Sequence, residues 1–136
     1  MFVYDADPRA LSPVALAFMG DAVFELMVRR RLLLGGGMPA HKLHRQSVKK
    51  VSAVAQALAY DALLPQLTER EQDILRRGRN ANTSRVPKSC SPEQYRKATA
   101  IEALFGYLYL SGEAMRLEEL FGLIYDTIAR EEQVRV

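Results

Sequence analysis

Two apolar runs stand out in the chain, VALAFMGDAVFELMV at positions 14–28 and ATAIEALFGYLYL at positions 98–110. A helix drawn through either run has apolar or small residues on nearly every side, which is typical of a helix in the middle of a bundle. Each run carries an acid within it, Asp21 in the first and Glu102 in the second. We therefore expect two central helices, each with a buried carboxylate.

A buried, ionised carboxylate needs a partner, because removing its charge from water is costly. Asp21 and Glu102 must each be paired with a cation, protonated or bound to a metal. An arginine partner is the purely structural alternative. Two carboxylates facing each other would instead repel unless a divalent ion lay between them, and oxygen ligands favour magnesium or manganese.

Two glycines interrupt the same strong helices, Gly20 and Gly106. Each costs about 1 kcal/mol relative to alanine, and such glycines usually permit close approach of another backbone. They either bring the acid-bearing helices together at a site or serve helix packing alone. Glu25 lies one turn after Asp21, and it is either a further acid of that site or, more simply, the partner of Arg29.

Capping and spacing signals predict an all-α protein. Ser12 before a proline opens the first helix, and Thr68 with Glu71 has the form of a capping box. Gly78 is expected to end the helix that this box begins, and the polar segment 79–90 is expected to be a functional loop. No run alternates long enough to predict a strand. The predicted helices cover 13–34, a short stretch from 39, 47–64, 69–77, 92–110 and 116–132, forming a single domain over 1–136 with its core at about 11–132.

Composition limits the class of protein. The 136 residues are 49% hydrophobic and 26% charged, which is average for a soluble globular chain. The uncharged runs are shorter than the roughly 18 apolar residues of a membrane span, and the acidic start lacks the basic region of a signal peptide. Cys90 is the one cysteine, and His41 and His44 have no third ligand nearby. We expect a complete, unanchored, cytoplasmic protein.

The basic residues are clustered, although the net charge is only +3. Positions 29–50 hold seven Lys or Arg and no acid, and positions 76–97 hold seven more against Glu93 alone. This segregation suggests a basic face for a polyanion such as nucleic acid. Ordinary solvated helix faces are the alternative.

Several segments together resemble a known family. They are VALAFMGDA at 14–22, RRGRNA at 76–81, PK at 87–88 and YRKATAIEALFGYLYL at 95–110. In this order and spacing they are similar to the ribonuclease III catalytic domain, and closest to its short Mini-ribonuclease III branch, which lacks an appended double-stranded-RNA-binding domain. The resemblance extends from Leu11 to about Tyr125.

The resemblance implies a helical endonuclease fold with a defined site. It places the catalytic aspartate at Asp21 and a metal-binding glutamate at Glu102. Longer members carry further acids at the positions of Val14, Ala17 and Thr99, so here only two carboxylates would hold magnesium, or manganese, largely through water.

The resemblance also implies a reaction and partners. The chain would cut double-stranded RNA, leaving 5′-phosphate and 3′-hydroxyl ends, with precursor large-subunit (23S) ribosomal RNA as substrate and a ribosomal protein as helper. Two antiparallel strands call for two sites, hence a homodimer. The apolar excess of the 13–34 helix, with Phe18, Phe24 and the cluster of Phe105, Tyr107 and Tyr109, is more than a small monomer needs. The expected RNA-binding residues are Arg76, Arg77, Arg79, Asn80, Arg85 and Lys88, with Asn82 as a further candidate.

Two other classes of function remain open on the residues alone. One is a catalytically inactive RNA-binding factor of the same fold that acts in ribosome assembly, although such a binder has no reason to keep both acids. The other is a helical protein-interaction domain in which arginines neutralise the acids. The first predicts RNA binding without cleavage, and the second predicts neither metal nor RNA binding.

Overall fold

The computed structural model describes residues 3–81 and 85–134. Six α-helices make up the described chain, and no strand is present within it. Two short 3-10 turns accompany them, Pro8–Ala10 and Leu64–Gln66. The helices are α1 (Pro13–Leu34), α2 (Ala40–Val51), α3 (Ala53–Leu63), α4 (Glu69–Arg79), α5 (Pro92–Leu110) and α6 (Ala114–Val134).

The helix boundaries follow local capping. The Ser12 hydroxyl accepts from the backbone N–H of Ala15 at 3.1 Å, which satisfies one free donor of α1. Complete capping boxes begin α4, at Thr68, and α5, at Ser91. Helix α1 ends at a glycine run in which Gly36 and Gly37 have φ near +65°, a conformation that other residues rarely adopt. These predicted ends are confirmed.

The prediction of one helix over 47–64 is wrong. Ser52 is extended, with ψ at 152°, and its hydroxyl accepts from the N–H of Ala55 at 3.2 Å to cap a new helix. The small, apolar spacing runs through both segments, but a serine whose side chain bonds neighbouring backbone groups competes with helix continuation. The chain therefore turns between α2 and α3.

The prediction that Gly78 ends its helix is also wrong. Helix α4 continues to Arg79, and a Cβ at Gly78 would lie 2.9 Å from the Cα of Ala100 on α5. The glycine serves close packing of α4 on α5 rather than helix termination.

Helix α5 is the centre of the molecule. It packs against α1, α3, α4 and α6, and its side chains from Ala98 to Leu108 are almost all buried. Phe24 of α1 meets Phe105 of α5 and Phe121 of α6 edge to face, with ring centroids 5.4 and 5.7 Å apart. Within the described residues, no helix is long and apolar enough to cross a membrane.

Candidate active site

The two predicted carboxylates meet where α1 crosses α5. The side chains of Asp21 and Glu102 lie within hydrogen-bonding range of each other. Gly20 and Gly106 allow the backbones of α1 and α5 to come this close, because neither residue has a side chain to hold the helices apart. A Cβ at Gly20 would lie 1.6 Å from the carbonyl oxygen of Glu102, and one at Gly106 would lie 2.0 Å from that of Leu16.

The expectation that Asp21 is buried is wrong. Asp21 is exposed and Glu102 is half-buried. Helix α1 is apolar on all sides, but its own chain covers only some of them, and the side that carries Asp21 is left open. The pair therefore has one carboxylate anchored in the packed interior and one that reaches solvent, where a substrate could approach.

The surroundings of Glu102 disfavour its negative charge. Burial raises the pKa of Glu102 to about 8, the adjacent Asp21 carboxylate adds to the rise, and the amide of Gln56 opposes it. At neutral pH Glu102 therefore favours its neutral form unless a cation lies beside it.

The arginine-paired alternative does not hold in the part of the chain that the structure describes. No Lys or Arg side chain there forms an ion pair with Asp21 or Glu102. Glu25, by contrast, bonds Arg29 with an Oε1 to Nη2 distance of 2.7 Å, which confirms its simpler assignment.

The donor set fits a hard divalent cation. Carboxylate oxygens are the ligands that magnesium and manganese prefer, and the two here are close together, lack a cationic partner and open to water. No group of three His, Cys, Asp or Glu that could hold a metal occurs among residues 3–81 and 85–134, so Asp21 and Glu102 would be the acids available to a cation here. The Thr99 hydroxyl is occupied by the carbonyl of Tyr95, 2.9 Å away.

Sequence reasoning missed a third polar group at this site, Gln56 of α3. Gln56 is 2% exposed and its side chain reaches Glu102. A signal was present, because it is the one strongly polar residue within the segment AVAQALA at 53–59. Its environment depended on α3 packing against α5, which the undivided helix of the prediction did not provide.

The second cluster of basic residues, at positions 76–97, lies around the end of α4 and the start of α5. Arg77, Arg85 and Lys88 are exposed and form no ion pair with any residue that the structure describes. Arg76 bonds Asp73 at 2.6 Å, and Arg79 bonds Glu93 at 2.5 Å. Asn80 is the exposed C-cap of α4, and Asn82 lies outside the described residues.

The first cluster of basic residues, at positions 29–50, does not form a continuous basic face. Arg30, Arg31 and Lys50 pair with acids of α6, namely Glu118, Asp126 and Glu132. Lys50 is only 5% exposed and lies over the ring of Tyr125. Charges that are segregated along the sequence are therefore partly neutralised across the bundle.

An exposed apolar stripe runs along α1 on either side of Asp21. Phe18 is 83% exposed and Leu26 65%, and Val14 and Ala22 continue the row at four-residue spacing. Of the predicted interface aromatics, Phe24, Phe105 and Tyr107 are instead core residues, whereas Tyr109 is 46% exposed.

Comparison with known proteins finds a family model, relatives and a solved structure that each match most of this chain. The family model of the ribonuclease III domain matches residues 14–113. A Mini-ribonuclease 3 of Symbiobacterium thermophilum is 48% identical over 92% of this chain and 96% of its own length. A Mini-ribonuclease 3 of Synechocystis is 49% identical over 85% of this chain and 79% of its own. A crystal structure of a Fusobacterium nucleatum protein, 32% identical, covers 88% of this chain and 96% of that one with a TM-score of 0.78.

Proposed function

The chain belongs to the ribonuclease III family and is an endoribonuclease, and on that premise we propose that it cleaves double-stranded RNA at a magnesium site formed by Asp21 and Glu102. The observation that carries this proposal is the contact between two carboxylates that have no cationic partner among residues 3–81 and 85–134 and that open to solvent on the Asp21 side. Manganese has the same ligand preference and would substitute.

Each carboxylate has a distinct role in the proposed reaction. Asp21 is exposed, so it faces the scissile phosphate and its attacking water. Glu102 is fixed in the interior of the crossing and supplies the second oxygen ligand. When bound, magnesium supplies Lewis-acid stabilisation of the phosphate charge and activation of the water. The products are a 5′-phosphate and a 3′-hydroxyl.

The unpaired cations around α4 and α5 suit an A-form RNA backbone. Double-stranded RNA is recognised through its phosphates and 2′-hydroxyls, with little reading of bases. Arg77, Arg85 and Lys88 are free to contact phosphates, and Asn80 can bond a 2′-hydroxyl. Arg76 and Arg79 would exchange Asp73 and Glu93 for phosphates.

Cleavage of both strands of a duplex needs two sites related by a two-fold axis, and we propose a second copy of this chain as the partner. The stripe of Val14, Phe18, Ala22 and Leu26 is the surface that a second copy would cover. Because Asp21 lies on the same helix, such a dimer would fix the spacing of the two sites.

The substrate that we propose is a double-stranded stem of precursor 23S ribosomal RNA in the cytoplasm, with a ribosomal protein shaping it. The similarity to the Mini-ribonuclease 3 proteins supports this choice. The surface of Arg77, Arg85 and Lys88 offers few phosphate contacts, which favours a helper in site selection.

The test is cleavage of a long, perfectly paired RNA duplex in the presence and absence of magnesium. We expect Asp21→Asn and Glu102→Gln to lose cleavage by about a thousandfold or more, since the lost interaction acts on the transition state. Both variants should still shift the duplex in a gel. Asp126→Asn, which removes an exposed carboxylate on α6, is the matched control and should cut normally.

Two results would contradict the proposal. If Asp21→Asn cleaves the duplex as fast as the wild-type protein, the proposed metal site is wrong. If the wild-type protein binds the duplex without cleaving it, the inactive RNA-binding factor is favoured.

A further inference from the structure

A buried amide lies beneath the two carboxylates. Gln56 is 2% exposed, and burying a primary amide is unfavourable unless its donors and acceptor find partners. Its Nε2 donates to the carbonyl oxygen of Val51 at 2.9 Å. Its Oε1 has no hydrogen-bond partner within the described chain. An apolar side chain would fill this place without leaving an acceptor unpaired, so packing alone does not account for a glutamine here.

The hydrogen bond to Val51 determines the orientation of the Gln56 side-chain amide. A carbonyl oxygen can only accept, so the group facing Val51 must be the NH₂ end of Gln56. That nitrogen carries a second N–H, and the side chain is within hydrogen-bonding range of the Glu102 carboxylate. The second N–H of Gln56 is therefore the donor available to the Glu102 carboxylate.

The turn between α2 and α3 makes this arrangement available. Val51 is the last residue of α2, where carbonyls lack a partner within the helix. Had α2 and α3 been one helix, that carbonyl would be used four residues on. The extended Ser52 leaves it free to bond Gln56 instead.

We propose that Gln56 is a positioning residue, which holds the Glu102 carboxylate so that its oxygens and those of Asp21 converge on the divalent cation. The proposal rests on the metal site proposed above. Side chains that orient a metal ligand through a hydrogen bond commonly change metal affinity or activity 10- to 100-fold when they are removed. Gln56 stands in that relation to Glu102.

The test measures Mn²⁺ binding to the full chain without RNA, by calorimetry or by electron paramagnetic resonance. Gln56→Met keeps the length of the side chain and removes both donors, and we expect it to raise the Kd for Mn²⁺ by about 10- to 100-fold. In cleavage assays it should lower kcat and raise the magnesium requirement, with duplex affinity unchanged. Gln72→Met is the matched control, because Gln72 also donates to a backbone carbonyl, that of Leu67 at 3.2 Å, but is not among the groups that act on Glu102.

The outcomes separate the two proposals. If Gln56 has only a structural role, Gln56→Met will lower the melting temperature and leave the Kd for Mn²⁺ unchanged. That result would overturn the positioning role alone. If the wild-type protein does not bind Mn²⁺, or binds it equally in Asp21→Asn, the metal site falls and this role with it. If Gln56→Met does not fold, Gln56→Asn keeps the amide but cannot span Val51 and Glu102, and normal Mn²⁺ affinity in that variant would also overturn the role.

Discussion

At the scale of single residues, the site depends on what two positions lack. Gly20 and Gly106 let the backbones of α1 and α5 touch, and this contact brings Asp21 and Glu102 together. The obstructing atoms at both glycines are backbone atoms, which cannot rotate away as the end of a side chain can. A methyl group at either position must therefore push two central helices apart.

We expect Gly106→Ala to lower the free energy of unfolding by about 3 kcal/mol, because its Cβ would lie 2.0 Å from the carbonyl oxygen of Leu16. Cleavage should fall as well, since the carboxylates would separate. Gly122→Ala is the control in α6, where a Cβ meets nothing within 4 Å, and it should stabilise the protein by up to about 1 kcal/mol. Urea unfolding followed by circular dichroism measures both; equal effects of the two changes would refute the steric account.

At the scale of helices, one carboxylate joins the starts of α4 and α6. Glu71 closes the capping box of α4 through the N–H of Thr68, 2.9 Å away. It also accepts from Arg116 of α6 through Nε at 2.9 Å and Nη2 at 2.8 Å. The same Nη2 reaches the carbonyl of Gln66, which ties in the turn between α3 and α4.

This link predicts a dependence of stability on pH. Hydrogen bonds from Arg116 hold the pKa of Glu71 below its ordinary value of 4.5, against the effect of burial. Folding therefore favours the ionised form, so the stabilisation is present above about pH 4.5 and is lost as the pH falls below it. We expect Glu71→Gln to unfold about 2 kcal/mol more easily at pH 7 and to lose less stability than wild type between pH 7 and pH 3.

Urea titrations at the two pH values measure this difference. Glu69→Gln, an exposed acid in the same first turn, should keep the wild-type pH dependence. If Glu71→Gln loses as much stability on acidification as wild type, Glu71 is not the group responsible.

At the scale of the whole molecule, the six helices leave one face of α1 uncovered. A central helix normally buries its large apolar residues, whereas Phe18 and Leu26 are largely exposed beside the candidate site. The proposed second copy of the chain would cover this surface and would supply the second site that a duplex requires. The association of two copies is therefore expected to control double-strand cleavage.

We expect Phe18→Glu to shift the protein from dimer to monomer, because it buries a charge in an apolar contact. Sedimentation velocity measures the shift, and cleavage of both strands of a duplex should fall with it. Met115→Glu is the control, since Met115 is 88% exposed but lies on α6, outside the stripe. A wild-type protein that sediments as a monomer at working concentration would contradict the dimer.

Local sequence alone specified most of the helix ends, the acids and the glycines. The caps at Ser12, Thr68 and Ser91 act within four residues, so they can be read without knowing the fold. The break at Ser52 was missed because apolar spacing continues through a single serine whose side chain caps the next helix.

Tertiary structure alone decided the surroundings of those residues. The exposure of Asp21 depends on which side of α1 the other helices cover, and the placement of Gln56 beside Glu102 depends on how α3 packs on α5. Lys50 belongs to a seemingly free basic cluster but is paired with Glu132, 82 positions away in the sequence. Burial and ion pairing are contacts between distant segments, whereas capping and helical spacing are contacts between neighbours, and only the neighbours are adjacent in the sequence.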